Sequence, residues 1–322
     1  MKTTLIALSL LATALVPLKV ASNIFAVVKS TDFTLRDEKR SRDIECRVYY
    51  PEAGEKLPLI IFSHGFGGDK TAFAAISQHV AEQGFVIIHP SHIDGFGRSG
   101  AKEGVRGFRN LLRGDAGGLT KQLDDPLKIE GRVSDVRCVI DSIEQLYSRV
   151  PALKGRIDTS RIGVGGHSYG AYTTMLIGGV TVDLDGKKDR SFADPRVRCI
   201  MPISGQGIGQ QGLTESSWAK LTLPMLTMTG SRDQGADGQG PDWKKDPFKF
   251  SPPGDKYLVF IDGANHFSFG GFGGRETDVT RTVKATSLAF WNAYLKDDEQ
   301  AKASLKSKVI TRSSGIATIE SK

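Results

Sequence analysis

The chain has 322 residues, 39% hydrophobic and 25% charged, with a formal net charge of +7. That composition belongs to a globular protein with a sizeable core and excludes a disordered or fibrous chain. The basic excess lies in short runs at 39–42, 187–190 and 302–308 without interleaved aromatics, which excludes a recognisable nucleic-acid module.

Residues 1–22 read as a removable leader. Lys2 opens it, an apolar run extends from Leu5 to Leu18, and Val20 and Ser22 stand at the −3 and −1 places of a cut before Asn23. A cut after 12–14 and an uncleaved anchor stay open. The expected destination is the periplasm or the outside of the cell, with no stable membrane insertion once the leader is gone. The expected mature chain is a single domain, 23–322.

Residues 32–51 then read as an antiparallel hairpin, two alternating strands around a polar turn. Short apolar runs follow at 57–64, 85–92, 161–168, 197–205, 223–230 and 256–263, after the second hairpin strand at 44–51. Most are continuous rather than alternating, as in strands buried on both faces of a parallel sheet. Helical patterns at 71–84, 132–150 and 277–296 lie between or after them; the second puts Val136, Val139, Ile140, Ile143 and Leu146 on one stripe. The alternation predicts one α/β domain with a mainly parallel sheet of about eight strands. Residues 93–131 and 232–254 fit no regular element, and the tail from about 298 reads as polar and loosely held. Cys46, Cys138 and Cys199 each sit among apolar neighbours and form no C-x-x-C pair; they read as buried free thiols, with one bridge to Cys199 as the alternative.

The chemistry centres on Gly166-His167-Ser168-Tyr169-Gly170. In a chain with 37 glycines this pattern means little alone. Here it joins a strand-like run to a helix-like one, the setting in which a tight turn holds a serine strained and exposed. A serine hydroxyl needs a base within hydrogen-bond reach. His266 follows the last apolar run in a glycine-rich loop and is the best of six histidines. His167 points away from Ser168, His79 lies on a helix, His64 reads as loop-shaping, and His89 and His92 end a strand as neighbours of the site. Asp233, three residues past a strand end, is the carboxylate to orient His266; Asp237 and Asp262 compete with it. The oxyanion donors expected are the N–H groups of Tyr169 and Phe66. Trp218, Trp243, Phe267 and His92 are candidates for lining the substrate pocket, and 268–276 for a flap. No second ligand stands at metal spacing from His64, so neither a metal nor a cofactor is expected. Taken singly these are a turn serine, a loop histidine and a solvated carboxylate; their order and their places at strand ends set them apart.

The segments RVYYP, LIIFSHGFGG, GVGGHSYGA, MTGSRD, GANHFSF and SLAFWNAYLK resemble the α/β-hydrolase superfamily. The resemblance covers roughly 31–296. It is nearest the bacterial predicted dienelactone hydrolase group, which sits with platelet-activating-factor acetylhydrolases, chlorophyllases and cutinase-like polyester hydrolases. Ser168 stands where true dienelactone hydrolases carry cysteine. Tyr169 stands where chlorophyllases usually carry arginine and acetylhydrolases often phenylalanine. The 93–131 insertion is extra to cutinase-like enzymes. The residues and the resemblance together predict a serine hydrolase acting on a small-molecule or polymeric carboxylic ester. In-class alternatives are a lipase- or phospholipase-like acylhydrolase, a polyester hydrolase and a peptidase; a separate alternative is an acyltransferase sharing the triad. Outside the class stands a non-catalytic ligand-binding protein on the same fold.

Overall fold

β-branched and aliphatic runs too short for helices build a nine-stranded sheet. The computed structural model describes residues 27–95, 116–271, 276–307 and 315–322. The leader, residues 96–115 of the insertion and residues 272–275 of the flap candidate lie outside the described residues. Strands β1 (Val28–Asp37) and β2 (Arg42–Pro51) form the antiparallel hairpin, and β2 runs antiparallel to β4 (Val86–Pro90). From β4 the sheet is parallel through β3 (Leu57–Ser63), β5 (Ile157–His167), β8 (Val197–Ile203), β9 (Met225–Arg232) and β10 (Lys256–Asn265). Strands β6 (Val182–Leu184) and β7 (Lys187–Arg190) make a separate two-stranded hairpin. This is the α/β-hydrolase fold.

Helices cover both faces of the sheet. One layer contains α3 (Pro126–Asp141), α4 (Ile143–Arg149) and α5 (Tyr169–Gly178), the other α1 (Ala74–Glu82) and α7 (Asp278–Leu295). The 132–150 stripe is buried as its spacing requires, but the helix breaks at Ser142 into α3 and α4. Thr277 caps α7 through a reciprocal pair with Thr280, which satisfies the first free N–H groups. α5 is buried over all ten residues, so it lacks a polar face and sits as a central helix against the sheet.

Three readings are corrected. Within 232–254, Asp246–Phe250 forms a short helix, α6. From residue 116 onward the insertion is largely helical: α2 (Ala116–Leu123) and the start of α3, whose N-cap is Asp125 with Pro126 behind it. The described parts of the tail are regular structure. Glu299–Lys306 forms α8, capped by Asp298, and β11 (Ala317–Ser321) pairs antiparallel with β10. Of β11 only Ile319 is buried, as suits an edge strand covered on one side, so the segment carries almost no hydrophobic pattern. All three cysteines are buried, and no disulfide joins them among the described residues. No described helix is long and apolar enough to cross a membrane.

Candidate active site

Six parallel strands end along one edge of the sheet, and the ends of β3, β5, β8, β9 and β10 contribute to a single cluster. The carboxyl ends of parallel strands are where such folds place their ligands, because the loops there converge while the strands stay rigid.

β5 ends at Ser168, whose backbone takes φ 57° and ψ −120°. A positive φ on a non-glycine residue is strained and persists only where its surroundings force it. The flanking glycines show what forces it. A Cβ on Gly166 would fall 2.8 Å from the Ser63 carbonyl oxygen, and one on Gly170 would overlap that oxygen outright. The elbow therefore packs backbone against backbone, and its serine is lifted out of the sheet, half-buried.

Ser168 Oγ lies 2.9 Å from His266 Nε2, and His266 Nδ1 lies 3.2 Å from Asp233 Oδ1. The His266 side chain keeps 24% of its surface exposed while Asp233 has none. Asp233 also accepts from Thr229 Oγ1 and Ser204 Oγ, each at 2.8 Å. Burial opposes the Asp233 charge, but the His266 hydrogen bond and the nearby Lys244 cation outweigh it and hold the carboxyl below its ordinary range. Burial lowers His266 as well. The Asp233 hydrogen bond resists and Lys244 assists, leaving the imidazole below its ordinary value of 6.5 and neutral at physiological pH. A neutral imidazole with its Nδ1 proton toward Asp233 presents a free lone pair to the serine.

Three contributors were not read from the sequence. Ser204, just past β8 at φ 51°, puts its Oγ 2.7 Å from His266 Nδ1, closer than the carboxylate itself. Lys244 is 2% exposed and donates to the Ser204 carbonyl at 3.2 Å. His167 does point away from the serine, but only to back the other histidine: its Nε2 donates to the His266 carbonyl at 2.8 Å. Burial holds His167 at about 3, so it is neutral. Ser204 and Lys244 lie in no motif, and His167 fills a variable place of the G-x-S-x-G pattern, so the contacts of all three depend on which loops meet.

Phe66 and Tyr169 flank the serine, their rings 6.2 Å apart, and a Cβ on Gly65 would stand 3.4 Å from Ser168 Cβ. Neither backbone N–H has a backbone partner among the described residues. The Tyr169 ring is buried, its hydroxyl donating to the Leu123 carbonyl at 3.0 Å.

The remaining candidates separate. Phe267 stands edge-on to the His266 ring at 5.2 Å and is 41% exposed, at the mouth of the site. Trp243 donates to the Ile208 carbonyl and lies beside Lys244, on the Asp233 side. Trp218 is not brought to the serine: it is fully buried, stacked with Phe250 in the core, where the burial of so large an apolar ring is strongly favoured. His92 is also fully buried, bonded to Ser63 and Asp135 beneath the site. His89 faces Ser77 of α1. Asp237 bonds Thr120 and Gln210, and Asp262 bonds Ser231, so neither reaches His266. Among the described residues no group of three or more His, Cys, Asp or Glu side chains has metal-holding geometry.

The mostly parallel nine-stranded sheet with helices on both faces places the chain in the α/β-hydrolase class of folds. Residues 35–100 match the family model described as platelet-activating factor acetylhydrolase, isoform II. The chain is similar to the platelet-activating factor acetylhydrolase of Canis lupus familiaris, 25% identical over 68% of this chain and 49% of the relative. It is similar to cutinase est2 of Thermobifida alba, 24% identical over 78% of this chain and 64% of that protein. The bovine acetylhydrolase is 30% identical over 38% of this chain. The chain thus spans about half the length of the first acetylhydrolases it matches.

Proposed function

We propose that this protein is a serine hydrolase that cleaves carboxylic esters, with Ser168 as nucleophile, His266 as general base and acid, and Asp233 as the group that orients His266. The observation that carries the reading is the contact of 2.9 Å between a strained, half-exposed serine Oγ and a neutral, carboxylate-backed imidazole. In the first half-reaction the Ser168 proton passes to His266 Nε2 as Oγ attacks the ester carbonyl carbon. Phe66 and Tyr169 N–H groups stabilise the tetrahedral oxyanion. Collapse breaks the bond to the alcohol, which leaves with the proton from His266. Water then gives a proton to His266 and attacks the acyl-serine, releasing the acid and restoring Ser168. Asp233 and Ser204 stabilise the imidazolium in both halves.

The two kinds of relative, acetylhydrolase and cutinase, share ester cleavage, and that shared chemistry is what we carry over. Lipase-like, phospholipase-like and polyester substrates differ in acyl length and in whether the ester is soluble. Export through residues 1–22 belongs to the same proposal.

The test is release of p-nitrophenol from acetate through decanoate esters by wild type and Ser168→Ala. We expect hydrolysis by the wild type and a loss of about 10⁴-fold or more in the variant, with the chain-length profile separating a short acyl pocket from a lipase-like one. Equal rates in the two proteins, or none in either when both are folded, would instead favour a binding protein.

A further inference from the structure

Directly beneath the oxyanion loop lies a buried ion pair that takes no part in the reaction as written. Arg132 of α3 is fully buried and Asp94 is 2% exposed in its side chain. A guanidinium has five N–H donors in a rigid fork, and here each one has an acceptor. Nε donates to Asp94 Oδ1 at 2.9 Å and Nη2 to Asp94 Oδ2 at 2.7 Å. The rest of the fork turns to the loop: Nη1 to the His64 carbonyl at 2.8 Å and Ser63 Oγ at 3.4 Å, Nη2 to the Gly65 carbonyl at 3.3 Å.

The Gly65 carbonyl is held by two further donors. His64 Nδ1 donates to it at 2.6 Å and Gly68 N at 3.0 Å. The His64 tautomer is set from behind, because its Nε2 accepts from the His92 N–H at 2.9 Å. On the far side of the same loop, Asp94 Oδ2 accepts from Gly67 N at 3.4 Å.

These contacts fix more than a carbonyl. In a trans peptide the C=O and N–H are coplanar and point in opposite directions, and no described peptide is cis. A Gly65 oxygen held toward Arg132 therefore turns the Phe66 N–H the other way, to the side on which Gly65 packs against Ser168. If this peptide flipped, a carbonyl dipole would face the developing oxyanion, and attraction would become repulsion.

We propose that Arg132, oriented by Asp94, is a positioning residue that locks the Gly65–Phe66 peptide with its N–H toward the reacting carbonyl. The oxyanion donor is preset from beneath by a buried guanidinium, so no binding energy of the ester is spent in turning it. This rests on the ester-hydrolase reading with Phe66 as donor. A lysine cannot substitute, because it offers a compact charge in place of the fork.

The experiment compares wild type, Ser168→Ala, Arg132→Lys, Asp94→Asn and the double variant Arg132→Met/Asp94→Leu, which removes both charges and leaves neither orphaned. Each is assayed for kcat and KM on p-nitrophenyl acetate, for inhibition by a phenylboronate that adds to the serine as a tetrahedral anion, and for thermal unfolding. Loss of a single oxyanion donor typically costs about 10²–10³ in kcat. We expect kcat to fall about 30-fold or more in Arg132→Lys and in the double variant, with KM within about threefold and boronate affinity falling in parallel. Asp94→Asn keeps the shape and serves if the arginine variants do not fold; its expected loss is smaller and in the same direction. Folded variants with near-wild-type kcat, or with lowered kcat but unchanged boronate affinity, would overturn the inference. A wild type that turns over and is silenced by Ser168→Ala beside active Arg132 variants sinks this inference alone. A wild type without Ser168-dependent turnover sinks the ester-hydrolase reading and this one with it.

Discussion

Two Ser–His–Asp arrangements occur among the described residues, and by hydrogen-bond length they are nearly equal. Ser168–His266–Asp233 has contacts of 2.9 and 3.2 Å, whereas Ser63–His92–Asp135 has 2.8 and 2.9 Å. By distance alone the second is the better triad. It differs in everything else. Ser63 ends β3 in ordinary extended backbone and is fully buried with its histidine. Asp135 is shared among His92, Arg40 and Arg42, with Arg42 Nη1 at 2.6 and 2.7 Å from its two oxygens. Burial opposes its charge, but those partners hold the carboxyl below its ordinary range. A relay of hydrogen bonds is thus a structural clamp when no carbonyl can reach the serine and no backbone N–H waits for an oxyanion. The proposed active set has the strained, lifted serine, the partly exposed imidazole and the flanking N–H groups of Phe66 and Tyr169.

The comparison can be broken by changing one carboxylate in each set. Asp233→Asn should cost about 10⁴-fold in kcat, since the amide favours the wrong imidazole tautomer, with a modest change in stability. Asp135→Asn should do the reverse. It leaves two arginines short of a buried partner and should cost about 3–5 kcal/mol of stability, while the fraction still folded labels with a fluorophosphonate at Ser168. Steady-state kinetics, denaturant melts and mass spectrometry of the labelled peptide check the pair; label on Ser63 would abolish the distinction.

A smaller effect is expected at Ser204, which the buried set does not match. Ser204→Ala removes a hydrogen bond to a developing charge, worth about 1.5–3 kcal/mol, or roughly ten- to a hundredfold in kcat/KM. An unchanged rate would show that Asp233 alone orients His266.

The smallest effect concerns pH. In the proposed mechanism His266 acts as a base only when unprotonated, and its pKa is lowered by burial and by Lys244 against the pull of Asp233. The acid limb of kcat/KM should therefore have its midpoint below 6.5, the ordinary histidine value. Lys244→Met removes a cation that disfavours the imidazolium, so the limb should move to higher pH. A limb that stays in place would remove Lys244 from the electrostatics of the site.

Much of the site was legible because its members sit where local pattern is strongest. Ser168, Asp233 and His266 each follow an apolar run that could only be a buried strand, and the glycines around Ser168 are required by backbone contact with Ser63 and His64. Elsewhere the same patterns misled. Trp218 read as pocket lining because an aromatic ring in a core and one in a pocket have the same one-letter code. The tail read as loose because an edge strand with one buried residue, Ile319, leaves no alternation to detect.

By itself the amino-acid order determined the strand–helix alternation, the elbow and the succession of serine, aspartate and histidine. These depend on steric preference and on apolar spacing, which act over a few residues. Tertiary structure alone decided that Ser204 joins the His266–Asp233 link, that Lys244 is buried beside it, that His167 supports His266 from behind, and that Arg132 of α3 reaches the loop before Phe66. Each of these joins residues 29 or more positions apart, through a charge, a hydroxyl or a neutral imidazole whose burial follows only once the helices have closed over the sheet. A lysine or arginine in a sequence reads as surface, since its desolvation is unfavourable until the folded chain supplies every partner.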